Sequence, residues 1–152
     1  MFTGIGALCW LPSITRWAQT VSDLLRPGGR LFLREGHPML WALADPRPDG
    51  LLVVEYPYVE REEPSVWDEA GTYVETDAVF TANVTHEWNH GLGETVSALL
   101  AVGLEITGLE EHDSVPWDAL PGMMRPLDNG EFQLSDRPWR LPHSYTLQAV
   151  KR

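Results

Sequence analysis

The sequence predicts an α/β fold built around a single sheet, and three stretches carry that prediction. In the first, Ile14, Trp17, Ala18, Val21, Leu24 and Leu25 recur at helical spacing, Arg26-Pro27-Gly28-Gly29 breaks the run, and Arg30–Glu35 reads as a strand. In the second, Leu92, Val96, Leu99 and Leu100 share a helical face, Gly103 is placed to cap it, and Leu104–Glu111 reads as a strand. The third is His143–Lys151, a closing strand. A helix, a tight turn and a strand, occurring twice, is the second half of a β-α-β crossover.

The other elements follow in order. Residues 1–8 (MFTGIGAL) read as a strand end running into a glycine loop. Pro12-Ser13 opens the first helix, with Ser13 as its N-cap. After the Arg30–Glu35 strand, His37-Pro38 starts a short helix reaching Leu43, and a polar turn covers Asp45–Gly50. Leu51–Glu60 reads as a strand confined to an edge or interrupted by Pro57. Residues 61–77 are acidic and irregular and read as a loop, with Glu60–Glu63 its solvated part. Ala78–Trp88 carries Val79, Phe80, Val84, Thr85 and Trp88 and reads as a further strand. Pro116–Pro142, rich in Pro, Trp, Asp and Arg, reads as an ordered excursion. No repeat or interdomain linker is present, so residues 1–152 are expected to form one domain with an insertion around 45–90.

Composition narrows the function classes. The 152 residues are 43% hydrophobic, enough for one core, and seven Trp, four Tyr and four Phe supply aromatic surface for that core or for a pocket. The net charge of -11 leaves no basic stripe to replace phosphate counterions, so a nucleic-acid partner is not expected. Cys9 is the only cysteine; it cannot form an internal disulfide and reads as buried filler between Leu8 and Trp10. No apolar run approaches the roughly 18 residues of a membrane span, and the N-terminus lacks a signal-peptide pattern. A soluble cytoplasmic protein with no membrane partner is the expectation.

Leu24-Leu25-Arg26-Pro27-Gly28-Gly29-Arg30-Leu31-Phe32, preceded by the Gly4–Pro12 loop and the Trp17 helix, resembles the second half of class I S-adenosylmethionine-dependent methyltransferases. The later AVGLEITGLEEHD matches their helix-to-strand step, and SYTLQAVKR looks like their antiparallel last strand. In that family the sheet order is 3-2-1-4-5-7-6. The resemblance therefore implies a partial Rossmann-like methyltransferase sheet, strands 4 to 7 with flanking helices, plus an inserted β segment. It places residue 1 on strand 4, so the glycine-rich cofactor loop after strand 1 is not in this chain.

What the resemblance implies for chemistry follows by position. The loop after strand 4 lines S-adenosylmethionine near its methyl group, which points to Thr3, Gly4, Ile5 and Gly6, with Trp10 further along. Acceptor-side residues come from the segments after strands 4 and 5 and from insertions. Those segments carry Glu35, Trp67 and Tyr73, and six candidates for binding a small-molecule acceptor: Trp41, Tyr56, Tyr58, His86, Trp88 and His90. His37, just past strand 5, is the candidate general base, against the plainer reading of a cap before Pro38. An incomplete cofactor site implies that the chain alone is inactive. A bare sheet edge implies self-association, pairing with a missing N-terminal half, or a non-catalytic interaction module.

A rival motif stands at His86-Glu87-Trp88-Asn89-His90, the H-E-x-x-H spelling of zinc proteases. That chemistry needs both histidines on one helix face, yet the neighbouring Val84, Thr85 and Trp88 favour a strand. On a strand, residues four apart lie about 13 Å from each other, too far for one zinc ion. The extended pattern's third ligand falls on Val96. Asp68, Glu69, Glu75 and Asp77 have no spacing that fixes a metal, so no metal site is expected.

Overall fold

In the computed structural model, residues 1–68 and 79–152 are described. Tyr73, Glu69, Glu75, Asp77 and the first residue of the expected 78–88 strand lie outside the described residues. Five elements follow the chain through its first part: β1 (Phe2–Thr3), α1 (Ile14–Leu24), β2 (Arg30–Gly36), the single turn α2 (Pro38–Trp41) and β3 (Ser65–Asp68). Then come β4 (Val84–Glu87), α3 (Leu92–Ala101), β5 (Leu104–His112), β6 (Met124–Pro126), β7 (Phe132–Leu134) and β8 (Ser144–Lys151).

The main sheet has the order β1-β2-β8-β5. β1 runs parallel to β2, and β8 lies antiparallel between β2 and β5. This is the 4-5-7-6 half-sheet that the methyltransferase resemblance implies, including its reversed last strand. The parallel β1–β2 step requires a crossover, and α1 supplies it. Ser13 caps α1 by accepting from the Arg16 amide at 3.4 Å. The turn after α1 needs both its glycines. Gly28 sits at φ +77°, and a Cβ on Gly29 would lie 2.7 Å from the Arg26 carbonyl. Gly103, at φ +82°, makes the corresponding turn from α3 into β5.

Helices α1 and α3 cover one face of the sheet. Ile14, Ala18 and Val21 from α1 and Ala98 and Leu99 from α3 meet Leu31, Leu33, Leu147 and Ala149 beneath them. Two expected face residues are displaced: Leu24 and Leu100 are 68% and 52% exposed. Ser22 and Thr95 are buried in their stead. Both are small and satisfy their hydroxyls on backbone, Ser22 by donating to the Val102 carbonyl and Thr95 to that of Gly91. On the other sheet face Phe2 stacks on Phe32, with ring centroids 5.7 Å apart, and both remain exposed. A second apolar cluster of Leu40, Leu43, Val115, Leu120, Leu134 and Leu141 joins α2 to the β6–β7 hairpin.

The insertion departs from the sequence reading in three places. Leu51–Glu60 forms no strand; its pairing is a single bridge, Leu43 to Val54, because the segment wraps α2 and then meets Pro57, which has no N–H to donate. The expected 61–77 loop contains β3, whose acidic surroundings disguise its alternation of half-buried and exposed side chains. The expected 78–88 strand narrows to β4, and Val79 is 88% exposed. β3 and β4 pair antiparallel as a hairpin of their own.

Candidate functional site

Because β1 and β2 are parallel, their carboxyl ends emerge side by side, which is where open α/β sheets bind ligands. Two loops leave there: residues 4–11 after β1 and residues 37–44 after β2. Glu35, 4% exposed at the end of β2, holds the first loop. Its carboxylate accepts from the backbone amides of Gly6, Ala7 (2.9 Å) and Leu8 (3.0 Å), and from its neighbour Gly36 at 2.9 Å. Gly6 makes this possible by turning at φ +79°. A buried carboxylate with several amide donors is a satisfied charge, and it fixes the loop's path.

The loops and the β3–β4 hairpin border an open cavity of about 600 Å³, within the 300–1,000 Å³ range usual for small-molecule sites. Its aromatic lining comes from Trp10, Trp41, Tyr56, Trp67 and Trp88, four of the chain's seven tryptophans among them. Trp41 stacks on Trp117 at 5.5 Å, and Tyr56 meets Trp67 edge to face at 5.0 Å. Gly36 leaves room for the first pair, since a Cβ there would lie 2.8 Å from Trp41 Nε1. Among the described residues, the ionisable lining groups are Asp45, Tyr56, Glu87 and Cys9. Burial, reinforced by Glu87 and Glu35, pushes the Cys9 thiol up to about 12, so it stays protonated and is a poor nucleophile at neutral pH.

Three consecutive residues, Trp88, Asn89 and His90, tie the segment after β4 to its neighbours. The Trp88 amide donates to the Cys9 carbonyl at 2.9 Å, and its indole N–H to the Glu62 carbonyl at 3.2 Å. The Asn89 side-chain amide donates to the Pro38 and Pro57 carbonyls at 2.8 and 2.9 Å. His90 Nδ1 lies 2.7 Å from Glu60 Oε2, and its Nε2 lies 3.1 and 2.8 Å from the carbonyls of Leu8 and Leu11. Glu60 also accepts from the Ile14 amide at 2.8 Å, at the start of α1, and its own amide donates to Glu94. Segment 57–60 is thus strapped to both helices and to the loop after β1.

The sequence candidates therefore separate. Trp10, Trp41, Tyr56 and Trp88 come together on the cavity. Thr3 and Gly4 stand at the end of β1, the Ile5 side chain packs into the second apolar cluster, and the Gly6 amide is taken by Glu35. Tyr58 accepts from the Leu92 amide at 3.3 Å, at the start of α3 and outside the cavity lining. His86 is exposed on β4, whereas His90 is buried in the strap, so the two histidines of the protease spelling occupy a strand and a loop. The residues between them, Glu87, Trp88 and Asn89, are the ones that line the cavity.

His37 is the N-cap of α2: its Nδ1 accepts from the Met39 amide at 3.1 Å. Its Nε2 lies 2.9 Å from Glu111 Oε1, off the direction of a straight hydrogen bond, so the contact is electrostatic. Burial pulls the imidazole below its usual range, with Glu111 opposing that shift. The ring is buried and does not line the cavity. Asp45 and Asn89 went unmarked in the sequence: Asp45 reads as part of a polar turn, and Asn89 stood inside the zinc spelling.

No protein-family model matches this chain, and no curated protein matches it at a significant level. Solved structures do. One is a Listeria monocytogenes protein assigned to the S-adenosylmethionine-dependent methyltransferases, at TM-score 0.59 and 14% identity, covering 99% of this chain and 60% of that one. Another is an S-adenosylmethionine-dependent methyltransferase from Mesorhizobium loti, at TM-score 0.57 and 20% identity, again covering 99% and 60%. The chain thus has a class I methyltransferase-like fold and spans about 60% of the length of these two structures. Among the described residues no helix is long and apolar enough to cross a membrane.

Proposed function

We propose that this chain is the acceptor-side portion of an S-adenosylmethionine-dependent methyltransferase acting on a small molecule. The observation that carries the reading is the aromatic cavity at the carboxyl ends of β1 and β2 in a methyltransferase-like sheet. Methyl transfer is an in-line displacement at a sulfonium already activated for it, so the protein's main task is to hold donor and acceptor in line. Thr3 and Gly4, at the end of β1, meet the cofactor's methyl side, and Trp10 borders it from the cavity. Trp41, Tyr56 and Trp88 wall the acceptor. His37 is a positioning residue for α2 and thereby for Trp41, since its ring is committed to the cap.

Among the described residues no strand pairs with β1 on its outer side, and Phe2 and Phe32 lie exposed beside that edge. These features favour a division of labour in which most of the cofactor is held by another polypeptide segment docked there. The same edge supports a second reading, a non-catalytic module that associates through it.

An amide chemical-shift titration with millimolar S-adenosylmethionine tests the first reading. It should move the Thr3–Gly6 resonances with weak affinity. Unmoved resonances at that loop would sink the methyltransferase reading, and micromolar affinity would overturn the division of labour.

A further inference from the structure

The cavity's chemistry is more specific than its size. Its lining contains the carboxylates of Asp45 and Glu87 and, among the described residues, no Lys, Arg or His. The other polar lining groups are uncharged: the hydroxyls of Tyr56, Ser65 and Thr85 and the amides of Asn83 and Asn89. Both donors of the Asn89 side-chain amide go to Pro38 and Pro57, and its Oδ1 accepts from the His90 amide. The Trp88 indole N–H goes to Glu62, which leaves that side chain only its ring to offer. A ligand there meets aromatic surface, neutral polar groups and, among the described residues, no charge but negative charge. Indole rings carry negative electrostatic potential on their faces and are the best aromatic partners for cations. An anionic ligand would meet two carboxylates in a chain of net charge -11. A neutral aromatic would fit the walls but gain no charge attraction from the acids.

From this convergence we propose that the cavity binds a cationic amine, and that the methyl acceptor is the nitrogen of such an amine. The inference rests on the methyltransferase reading for its second clause only. For transfer, the bound ammonium first gives a proton to the lining carboxylate of Asp45. The freed nitrogen lone pair then forms the new bond to the methyl carbon of S-adenosylmethionine, the S–CH₃ bond breaks, and its electron pair stays on sulfur. The products are the methylated ammonium and S-adenosylhomocysteine, with the released proton passing from the carboxylate to water.

A matched pair of probes tests the binding claim: (4-hydroxyphenyl)trimethylammonium and its neutral isostere 4-tert-butylphenol. The two share shape and differ by one charge, and neither depends on the cofactor. Titrations followed by calorimetry and tryptophan fluorescence should show the cation bound at least tenfold more tightly. Asp45→Asn, at an exposed position, should weaken the cation about threefold or more and leave the phenol unchanged. Trp67→Leu, checked for an intact melting transition, should weaken the cation about tenfold. Equal affinity for the two probes, preference for the phenol, or no binding of either would overturn the inference. So would displacement of the cation by S-adenosylmethionine but not by S-adenosylhomocysteine, which would assign the cavity to the sulfonium. The cofactor titration at Thr3–Gly6 is read separately, so failure of the amine assignment and failure of the methyltransferase reading give different results.

Discussion

The helix-covered face of the sheet and the cavity at its carboxyl end are held together in different ways. Under α1 and α3 the core is aliphatic and repetitive: Leu31, Leu33, Leu147 and Leu99 interlock with small residues, and no single contact decides the packing. Around the cavity the chain is irregular, and it is fixed by a few polar groups, each carrying several bonds. Glu35 holds the loop after β1, Asn89 joins Pro38 to Pro57, and the Glu60–His90 pair straps both to the helices. The first region stores stability in area, and the second positions side chains through a few buried acceptors and donors. Damage to the first should unfold the molecule, while damage to the second should loosen the site first.

The sharpest break of that contrast is Leu147→Ala in the strand at the sheet's centre. Its side chain is fully buried, and such truncations cost about 2–5 kcal/mol; urea denaturation should show a loss in that range. Glu35→Ala should cost somewhat less, about 3 kcal/mol at most, because water can reach part of the freed loop. Its signature is local: the Ala7 and Leu8 amides should exchange with deuterium far faster while those of β8 keep their protection. If β8 loosens equally, the loop and sheet are one cooperative unit and the contrast fails.

A smaller effect comes from pH. Burial lowers the imidazoles of both His37 and His143 from the ordinary 6.5. The unfolded chain then takes up protons that the folded one refuses. Stability from these groups is therefore fully present above about 6.5 and declines as pH falls through their folded values. Denaturation midpoints across pH 7.5 to about 5 should drop on the acid side, and His37→Asn, which keeps a capping acceptor, should flatten that slope. The smallest effect belongs to His86→Ala. The side chain is exposed on β4, so stability should stay within about 0.5 kcal/mol. Zinc content should be unaffected too, and a variant that lost stoichiometric zinc would revive the protease spelling.

The same contrast explains what could be read from the sequence. Periodicity and the Pro27-Gly28-Gly29 stop located both long helices and the strands after them, because area-driven packing leaves a repeating trace. Their order also carried the resemblance that the sheet order and the solved structures bear out. The aromatic residues of the cavity were visible as a class, and Trp10, Trp41, Tyr56 and Trp88 do converge. Their grouping was hidden, because it depends on long-range single bonds such as Asn89 to Pro38 that leave no periodic mark. Leu51–Glu60 misled in the opposite sense: its apolar, β-branched residues spell a strand, yet the segment wraps α2 and Pro57 ends its pairing. The histidines drew attention through a known spelling, whereas the cavity is lined by the residues between them, Glu87, Trp88 and Asn89.

The central claim is that a methyl donor at the end of β1 faces an acceptor in the aromatic cavity. Intermolecular nuclear Overhauser effects from the protein with S-adenosylmethionine and a small primary amine test it most directly. The sulfonium methyl should contact Thr3 and Gly4, with amine protons contacting the Trp67 and Trp88 rings in the same sample. Amine contacts confined to sites outside the cavity, or a sulfonium methyl that touches neither Thr3 nor Gly4, would contradict it.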